Sequence, residues 1–218
     1  MESKTCTAFE RLSDILDTLR KECPWDKVQT MKSLRYLTIE EVHELSEAIV
    51  SGNTNDLKKE LGDVAMHILF YCKIAEEQGL FTTEDVYNTI SDKLIERHPF
   101  IYRKDEYHGE SWEQLKMREG RKDVLEGVPQ SLPALIKAVR MQEKVAGMRE
   151  DKKKPVANIP LGNCQPADDC TESKFGDLLF ALVDWARCHG INADDALCAA
   201  NQRFKETISS QVSSSPEA

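Results

Sequence analysis

The sequence predicts an all-α protein, organised as a helical bundle that contains a tandem repeat with a truncated second copy. Apolar residues recur with the 3.6-residue period of helices through almost the whole chain, and no segment shows the alternation of a convincing strand. Turn formers and prolines separate the periodic segments. With 218 residues, 40% of them hydrophobic, the chain can form one domain or two small ones, each with a real core.

The N-terminal half contains four long helical patterns. Pro24 follows the end of the first, and Thr30 is placed to cap the N-terminus of the second. The turn formers of 51–55 join the second and third helices as an antiparallel pair. Thr82 and Asp85 form a capping-box pattern that opens the fourth helix. The predicted spans are 7–21, 31–50, 56–77 and 82–98.

The C-terminal half is expected to be less regular. A short helix follows Ser111, and longer ones are predicted over 131–147, 172–188 and 193–209. Residues 148–171 show no hydrophobic period and include several Pro, Gly and Asn, which indicates a linker or exposed loop. The predicted parts are a domain at 1–110, connecting helices at 111–147, the linker at 148–171, a second repeat at 172–210 and a disordered tail at 211–218.

An internal repeat relates the two halves of the chain. Residues 61–70 (LGDVAMHILF) match residues 175–184 (FGDLLFALVD). The second copy has Lys174 where the first has Glu60, and the linker occupies the place of an acidic motif in the first copy. The second copy is therefore expected to be degenerate, so that any chemistry based on these acids belongs to the first copy.

Five carboxylates in the first copy form the most informative pattern of the sequence. The second helix carries Glu40, Glu41 and Glu44, and the third carries Glu60 and Asp63. At about 100° per residue, Glu41 and Glu44 fall inside the apolar sector of their helix, and Glu40 lies at its edge. The antiparallel pairing then allows the two acidic sets to face each other across an interhelical distance of about 8–10 Å.

Such a cluster of acids requires a compensating positive charge. Two carboxylates about 5 Å apart repel each other by roughly 3 kcal/mol at an effective dielectric near 20, and five multiply that cost. An all-oxygen set suits Mg²⁺, or Mn²⁺, rather than zinc. The alternative interpretation is a partly exposed acidic flank that binds no ion. His67, on the same flank, is expected to be a hydrogen-bonded packing residue rather than a ligand.

Charge and composition argue against several classes of protein. A net charge of -9 argues against nucleic acid as the main partner, because phosphate backbones select basic surfaces. The chain has no apolar run that could span a bilayer and no signal-peptide core, so a soluble cytoplasmic protein without a membrane partner is expected. Seven scattered cysteines without a C-x-x-C pair indicate neither a disulfide framework nor a zinc ribbon.

Six stretches of the chain share their sequence and their order with one known family. They are CPWDKVQT at 23–30, EEVHE at 40–44, ELGD at 60–63, KLIERHP at 93–99, VLEGVP at 124–129 and SLPAL at 131–135. Together they resemble the MazG family of nucleoside triphosphate pyrophosphohydrolases. The resemblance implies a MazG-type helical bundle of tandem repeats, a homodimer, Mg²⁺ dependence, and hydrolysis of nucleoside triphosphates to a monophosphate and pyrophosphate. This chain departs from the family in its degenerate second repeat and in Phe100, where the family has a second histidine.

The resemblance and the helical geometry together assign roles to the acids. Glu41, Glu44, Glu60 and Asp63 are the predicted metal ligands. Glu40 is predicted to complete the ligand shell or to orient the attacking water, which makes Glu40 and Glu41 the predicted catalytic residues.

Three further residues are predicted to bind the substrate. Lys93 and Arg97, at positions i and i+4 of one helix, can reach the same side and hold phosphate oxygens; a solvated basic face is the alternative. Trp25 could stack on a nucleobase, or it could plug the core as a loop residue.

The function expected from the sequence is Mg²⁺-dependent hydrolysis of nucleoside triphosphates, a nucleotide-pool house-cleaning activity of a hydrolase. One alternative is a catalytically weak or inactive dimeric binding protein of the same family. A di-iron bundle is a second alternative, because Glu40 and His43 fit its E-x-x-H signature, but that fold needs another such motif on a helix.

Overall fold

The computed structural model describes residues 4–117, 120, 123–157 and 171–213, and its backbone divides into two compact units, residues 1–96 and 97–218. The elements are helices and turns, with no strand among the residues described. This confirms the predicted all-α class. The domain bounds inferred from the sequence stay predictions. No helix in the described part of the chain combines the length and the apolar composition that crossing a bilayer requires.

The helices of the first unit begin and end close to the predicted positions. Thr30 caps the second of them: its hydroxyl accepts from the Ser33 N–H at 3.1 Å, and its own N–H donates to the Ser33 hydroxyl at 2.9 Å. Thr82 and Asp85 make the predicted capping box with bonds of 2.8 and 3.1 Å. The helices are α1 at Lys4–Glu22, α2 at Met31–Ser51, α3 at Thr54–Glu77 and α4 at Thr83–Arg97.

A tight turn makes α2 and α3 an antiparallel pair. Gly52, with φ of 70°, ends α2 in the left-handed region that glycine adopts most easily. Asn53 then caps α3, where its side-chain oxygen accepts from the N–H groups of Asn55 and Asp56 at 3.0 and 3.4 Å. The turn therefore reverses the chain within a few residues and sets the register of the two helices.

The Thr38 hydroxyl fixes that register further along the pair. It lies 2.8 Å from Nδ1 of His67 and 2.7 Å from the hydroxyl of Tyr71, two residues one turn apart on α3. His67 is buried, and this burial lowers its pKa, although the charge of Asp63 acts in the opposite direction. The prediction that His67 is a hydrogen-bonded packing residue is confirmed.

The core of the first unit lies where α1, α2 and α3 meet. Phe70 is the aromatic residue of this core and is 1% exposed. The guanidinium of Arg20 lies over its ring, 5.3 Å from the ring centroid. Arg20 also pairs with Glu77 and thereby ties α1 to α3. The fully buried members of this core are Leu16, Leu34, Leu69, Phe70 and Ile74.

The second unit contains shorter helices and three long ones that pack together. Pro133 disfavours helix at the residue before it, so α7 starts at Ala134 rather than at the predicted residue 131. Gln142, on α7, is buried and donates to the carbonyl of Phe180 on α8 at 2.8 Å. The helices are α5 at Pro99–Tyr102, α6 at Trp112–Met117, α7 at Ala134–Gly147, α8 at Glu172–Cys188 and α9 at Ala193–Ser213.

The last helix is longer than predicted. It continues through Ser213, so the predicted tail at 211–218 begins inside α9, and residues 214–218 lie outside the described residues. The last turn of α9 contains few apolar residues, so the hydrophobic period that predicts a helix fades there. The predicted helix was therefore too short.

A buried carboxylate attaches the described part of the predicted linker to α8. Asp184 is 1% exposed and accepts from the backbone N–H groups of Val156 and Ala157. It also pairs with Arg187, whose guanidinium donates to the carbonyls of residues 152 and 154. Residues 152–157 are thus fixed to the helix, whereas the predicted linker residues 158–170 lie outside the described residues.

Candidate metal centre

Three of the predicted metal ligands come together at the α2–α3 pair. Glu41 on α2 and Glu60 and Asp63 on α3 each offer a carboxylate oxygen, and these oxygens all lie within 4.8 Å of one another. Glu60 and Asp63 are at positions i and i+3, which places them on the same face of α3. We call Glu41, Glu60 and Asp63 the acidic cluster. The acidic cluster spans α2 and α3, which the turn and the hydrogen bonds of Thr38 hold in register.

Glu60 is the buried member of the acidic cluster. The residue is 5% exposed, and its Oε2 is buried without a hydrogen-bond partner. Its other oxygen, Oε1, accepts a hydrogen bond from Nζ of Lys59 at 2.9 Å. A buried carboxylate oxygen without a partner costs free energy, and three clustered carboxylates repel one another. A hard divalent cation would offset both costs, so the residues present fit such an ion.

The pKa of Glu41 reflects the closeness of the neighbouring acids. Burial raises the pKa of Glu41, and the charges of Asp63, Glu44, Glu60 and Glu40 raise this pKa further. Glu40 and Glu44 are exposed and lie outside the 4.8 Å group, but they are near enough to act on Glu41 through charge. Their roles as ligand or water-orienting residue stay predictions.

The raised pKa of Glu41 predicts how the stability of the ion-free protein depends on pH. A carboxyl whose pKa is raised by folding contributes stability at low pH, and that stability is lost as the pH rises through the folded pKa. In EDTA, we expect the melting temperature of the wild type to fall relative to that of Glu41→Gln as the pH rises from about 4.5, the ordinary pKa of a glutamate. Thermal scans of both proteins between about pH 4 and 7 measure this difference. Parallel curves over that range would contradict it.

Lys59 is a member of the site that the sequence reasoning missed. Its ammonium pairs with the buried Glu60, while its own side chain is 67% exposed. This hydrogen bond raises the pKa of Lys59, and the charges of Glu60, Asp63 and Glu44 also raise it. The sequence shows two lysines directly before Glu60, and this pair could have indicated a cation at the site. Helical periodicity instead predicts a solvated face for them.

The predicted substrate-binding residues make other contacts. Lys93 is exposed and lines a groove along α4 together with Phe81 and Ile90. The guanidinium of Arg97 lies over the ring of Trp112, 5.7 Å from its centroid. The predicted role of Lys93 and Arg97 in binding phosphate oxygens stays a prediction.

Trp25 lies in the connection between α1 and α2. It is 52% exposed, so it does not plug the core, and its carbonyl accepts from the Gln29 side chain at 3.0 Å. Its predicted role in stacking on a base stays a prediction.

The second repeat shows no comparable site in the part of the chain that the structure describes. Lys174 and Asp177, the counterparts of Glu60 and Asp63, are both exposed on α8. Among the described residues, the acidic cluster is the one group of three or more close His, Cys, Asp or Glu side chains. The degeneracy of the second repeat stays a prediction.

Comparisons with known proteins cover the part of the sequence that contains the acidic cluster. The model of the MazG nucleotide pyrophosphohydrolase domain matches residues 29–102, which include all three cluster residues. The "Nucleoside triphosphate pyrophosphohydrolase/pyrophosphatase MazG" of Thermotoga maritima is 37% identical over 211 residues, covering 91% of this chain and 83% of the relative. The "Nucleoside triphosphate pyrophosphohydrolase" of Escherichia coli K12 is 34% identical over 221 residues, covering 90% of this chain and 84% of the relative.

A third relative is considerably longer than this chain. The "Uncharacterized protein YabN" of Bacillus subtilis is 34% identical over 222 residues, which cover 92% of this chain but 45% of the relative. The identity to the first two relatives extends over most of both sequences, well beyond the residues of the domain match. The chain therefore belongs to the MazG family.

Proposed function

We propose that this protein hydrolyses nucleoside triphosphates to a nucleoside monophosphate and pyrophosphate, with Mg²⁺ as its resident ion. The observation that carries the proposal is the burial of Glu60, whose Oε2 has no hydrogen-bond partner. Carboxylate oxygens of Glu60, Glu41 and Asp63 lie within 4.8 Å of one another. The names of the Thermotoga and Escherichia relatives support the reaction. The all-oxygen ligand set supports Mg²⁺ over softer metals.

In this proposal the acids divide into those that hold the ion and one that handles a proton. Glu41, Glu60 and Asp63 would hold the ion, with Glu44 as a fourth ligand from α2. A divalent ion bound there supplies positive charge for the phosphate oxygens and for the leaving pyrophosphate. Glu40, exposed on the adjacent position, accepts the proton of the attacking water. The water oxygen forms a new bond to phosphorus, and the bond between the α and β phosphates breaks.

We also propose that the protein works as a homodimer in the cytoplasm, as the family resemblance implies. The exposed apolar side chains of α2 support association. Among them Val50 is 79% exposed and Ile49 is 60% exposed. The net charge of -9 argues against nucleic acid as the main partner and still allows a small phosphorylated substrate, provided that the metal and local basic residues neutralise its charge.

A pyrophosphate-release assay tests the proposed reaction. Purified protein is incubated with each common nucleoside triphosphate, and with modified ones, in the presence of Mg²⁺ and separately in EDTA. We expect a monophosphate and pyrophosphate in equal amounts with Mg²⁺ and neither in EDTA. Normal nucleotide binding without any pyrophosphate release would contradict the proposal and favour the alternative of a dimeric binding protein.

A further inference from the structure

Lys59 forms an ion pair with the most buried acid of the site. Its Nζ lies 2.9 Å from Oε1 of Glu60, and this pair combines a side chain that is 67% exposed with one that is 7% exposed. The ammonium therefore stands at the boundary between the acidic cluster and solvent. This position differs from that of an ordinary surface ion pair, in which both partners are free to move in water.

The ammonium of Lys59 can make further contacts. It has three N–H donors, and one of them donates to Glu60 in the structure, so donors are available on the exposed side. The two oxygens of Glu60 also differ: Oε1 accepts from Lys59, whereas Oε2 is buried without a partner. An ion held through Oε2 would leave the Lys59 contact at Oε1 intact.

The next step rests on the proposed function. A divalent ion would gather its oxygen ligands within a few ångströms of one another. A phosphate oxygen that shared the ion with Glu60 would therefore come close to the Glu60 carboxylate. A lysine that already contacts the other oxygen of Glu60 and has an exposed, flexible stem can reach that phosphate.

We propose that Lys59 is a phosphate-binding residue of the metal site, whose ammonium contacts Glu60 and a triphosphate oxygen at the same time. In this role Lys59 supplies the positive charge and the hydrogen-bond donors that the carboxylates cannot. It also gives the first repeat a cation directly at the acidic cluster, whereas Lys93 lines the groove along α4 and the guanidinium of Arg97 lies over Trp112.

Two binding measurements on four proteins test this role. The proteins are the wild type, Lys59→Met, Lys59→Arg and Lys58→Met. Lys58 is the matched control, because it is an exposed lysine on the preceding residue and its loss removes the same charge. The first measurement is the affinity for Mn²⁺ alone by electron paramagnetic resonance. The second is the affinity for inorganic tripolyphosphate in saturating Mg²⁺ by calorimetry, with the KM for a hydrolysed nucleotide as a further measurement.

We expect Lys59→Met to weaken tripolyphosphate binding and raise KM by about tenfold, while Mn²⁺ binding weakens by no more than about twofold. Lys59→Arg should restore most of the phosphate affinity, and Lys58→Met should resemble the wild type. Unchanged tripolyphosphate binding in Lys59→Met would overturn the proposal. An equal loss of Mn²⁺ and tripolyphosphate affinity would overturn it too, because Lys59 would then act only by orienting Glu60.

The same experiment separates this inference from the proposed function. If the wild type releases no pyrophosphate from any nucleotide but its tripolyphosphate affinity still depends on Lys59, the proposed reaction is wrong and the phosphate-binding role stands. If the wild type is active and Lys59→Met keeps the wild-type KM and tripolyphosphate affinity, the reaction stands and the role of Lys59 is wrong.

Discussion

Glu60→Gln is expected to reduce the rate of pyrophosphate release by about 10²- to 10³-fold, a loss of the size that follows removal of one preorganised charged group from an active site. The substitution keeps the size of the side chain but replaces a carboxylate with a neutral amide. The amide cannot supply the negative charge that the Glu60 carboxylate brings to the acidic cluster. The rate of pyrophosphate release at saturating nucleotide and Mg²⁺ measures the effect, and Mn²⁺ binding should weaken in parallel.

The stability of the same variant distinguishes a lost ligand from a damaged fold. In EDTA, Glu60→Gln is expected to melt at or above the wild-type temperature, because one negative charge leaves a cluster of repelling acids. Glu22→Gln is the matched control, since it makes the same chemical change at an exposed residue of the same unit. An active Glu60→Gln protein would show that the buried carboxylate is not a ligand. A strongly destabilised one would show that Glu60 has a structural role instead.

Phe70→Ala is expected to lower the free energy of unfolding by about 3–5 kcal/mol, the usual cost of removing a fully buried aromatic ring. Phe70 is 1% exposed at the centre of the core and also carries the guanidinium of Arg20 on its face. The substitution therefore loses both the buried apolar surface and the cation–π contact. Urea unfolding followed by circular dichroism measures the change.

Phe204→Ala is the control for this second prediction. It removes the same ring from a position that is 69% exposed, so its effect should stay below about 1 kcal/mol. Equal effects of the two substitutions would contradict the assignment of Phe70 to the core. A larger effect of Phe204→Ala would indicate that another chain covers α9 in solution.

The sequence predicted most of the helices because their boundaries depend on local chemistry. Thr30, Gly52 and the pair Thr82 and Asp85 act within a few residues of their own positions, so their roles can be inferred without knowledge of the fold. Helical periodicity also placed Glu41 beside Glu60 and Asp63, because a short turn between two helices leaves few alternative pairings.

Features that depend on tertiary contacts were harder to predict. The contact between Lys59 and Glu60 depends on side-chain rotamers, which residue spacing does not determine. The i, i+4 spacing of Lys93 and Arg97 gives the side of the helix that they share, but not what lies opposite them. Asp184 depends on a chain segment about 28 residues away in sequence, and hydrophobic periodicity contains no information about such a partner.

The buried Asp184 restricts how the two repeats could be interchanged. In the alignment of residues 61–70 with 175–184, the core ring Phe70 corresponds to this carboxylate. A chimera that grafts the first copy onto the second would thus place a phenyl ring where the N–H groups of Val156 and Ala157 need an acceptor. Building a counterpart of the acidic cluster into α8 therefore requires redesign of the 152–157 segment together with the transplanted acids, because the interior around Asp184 differs from that around Phe70.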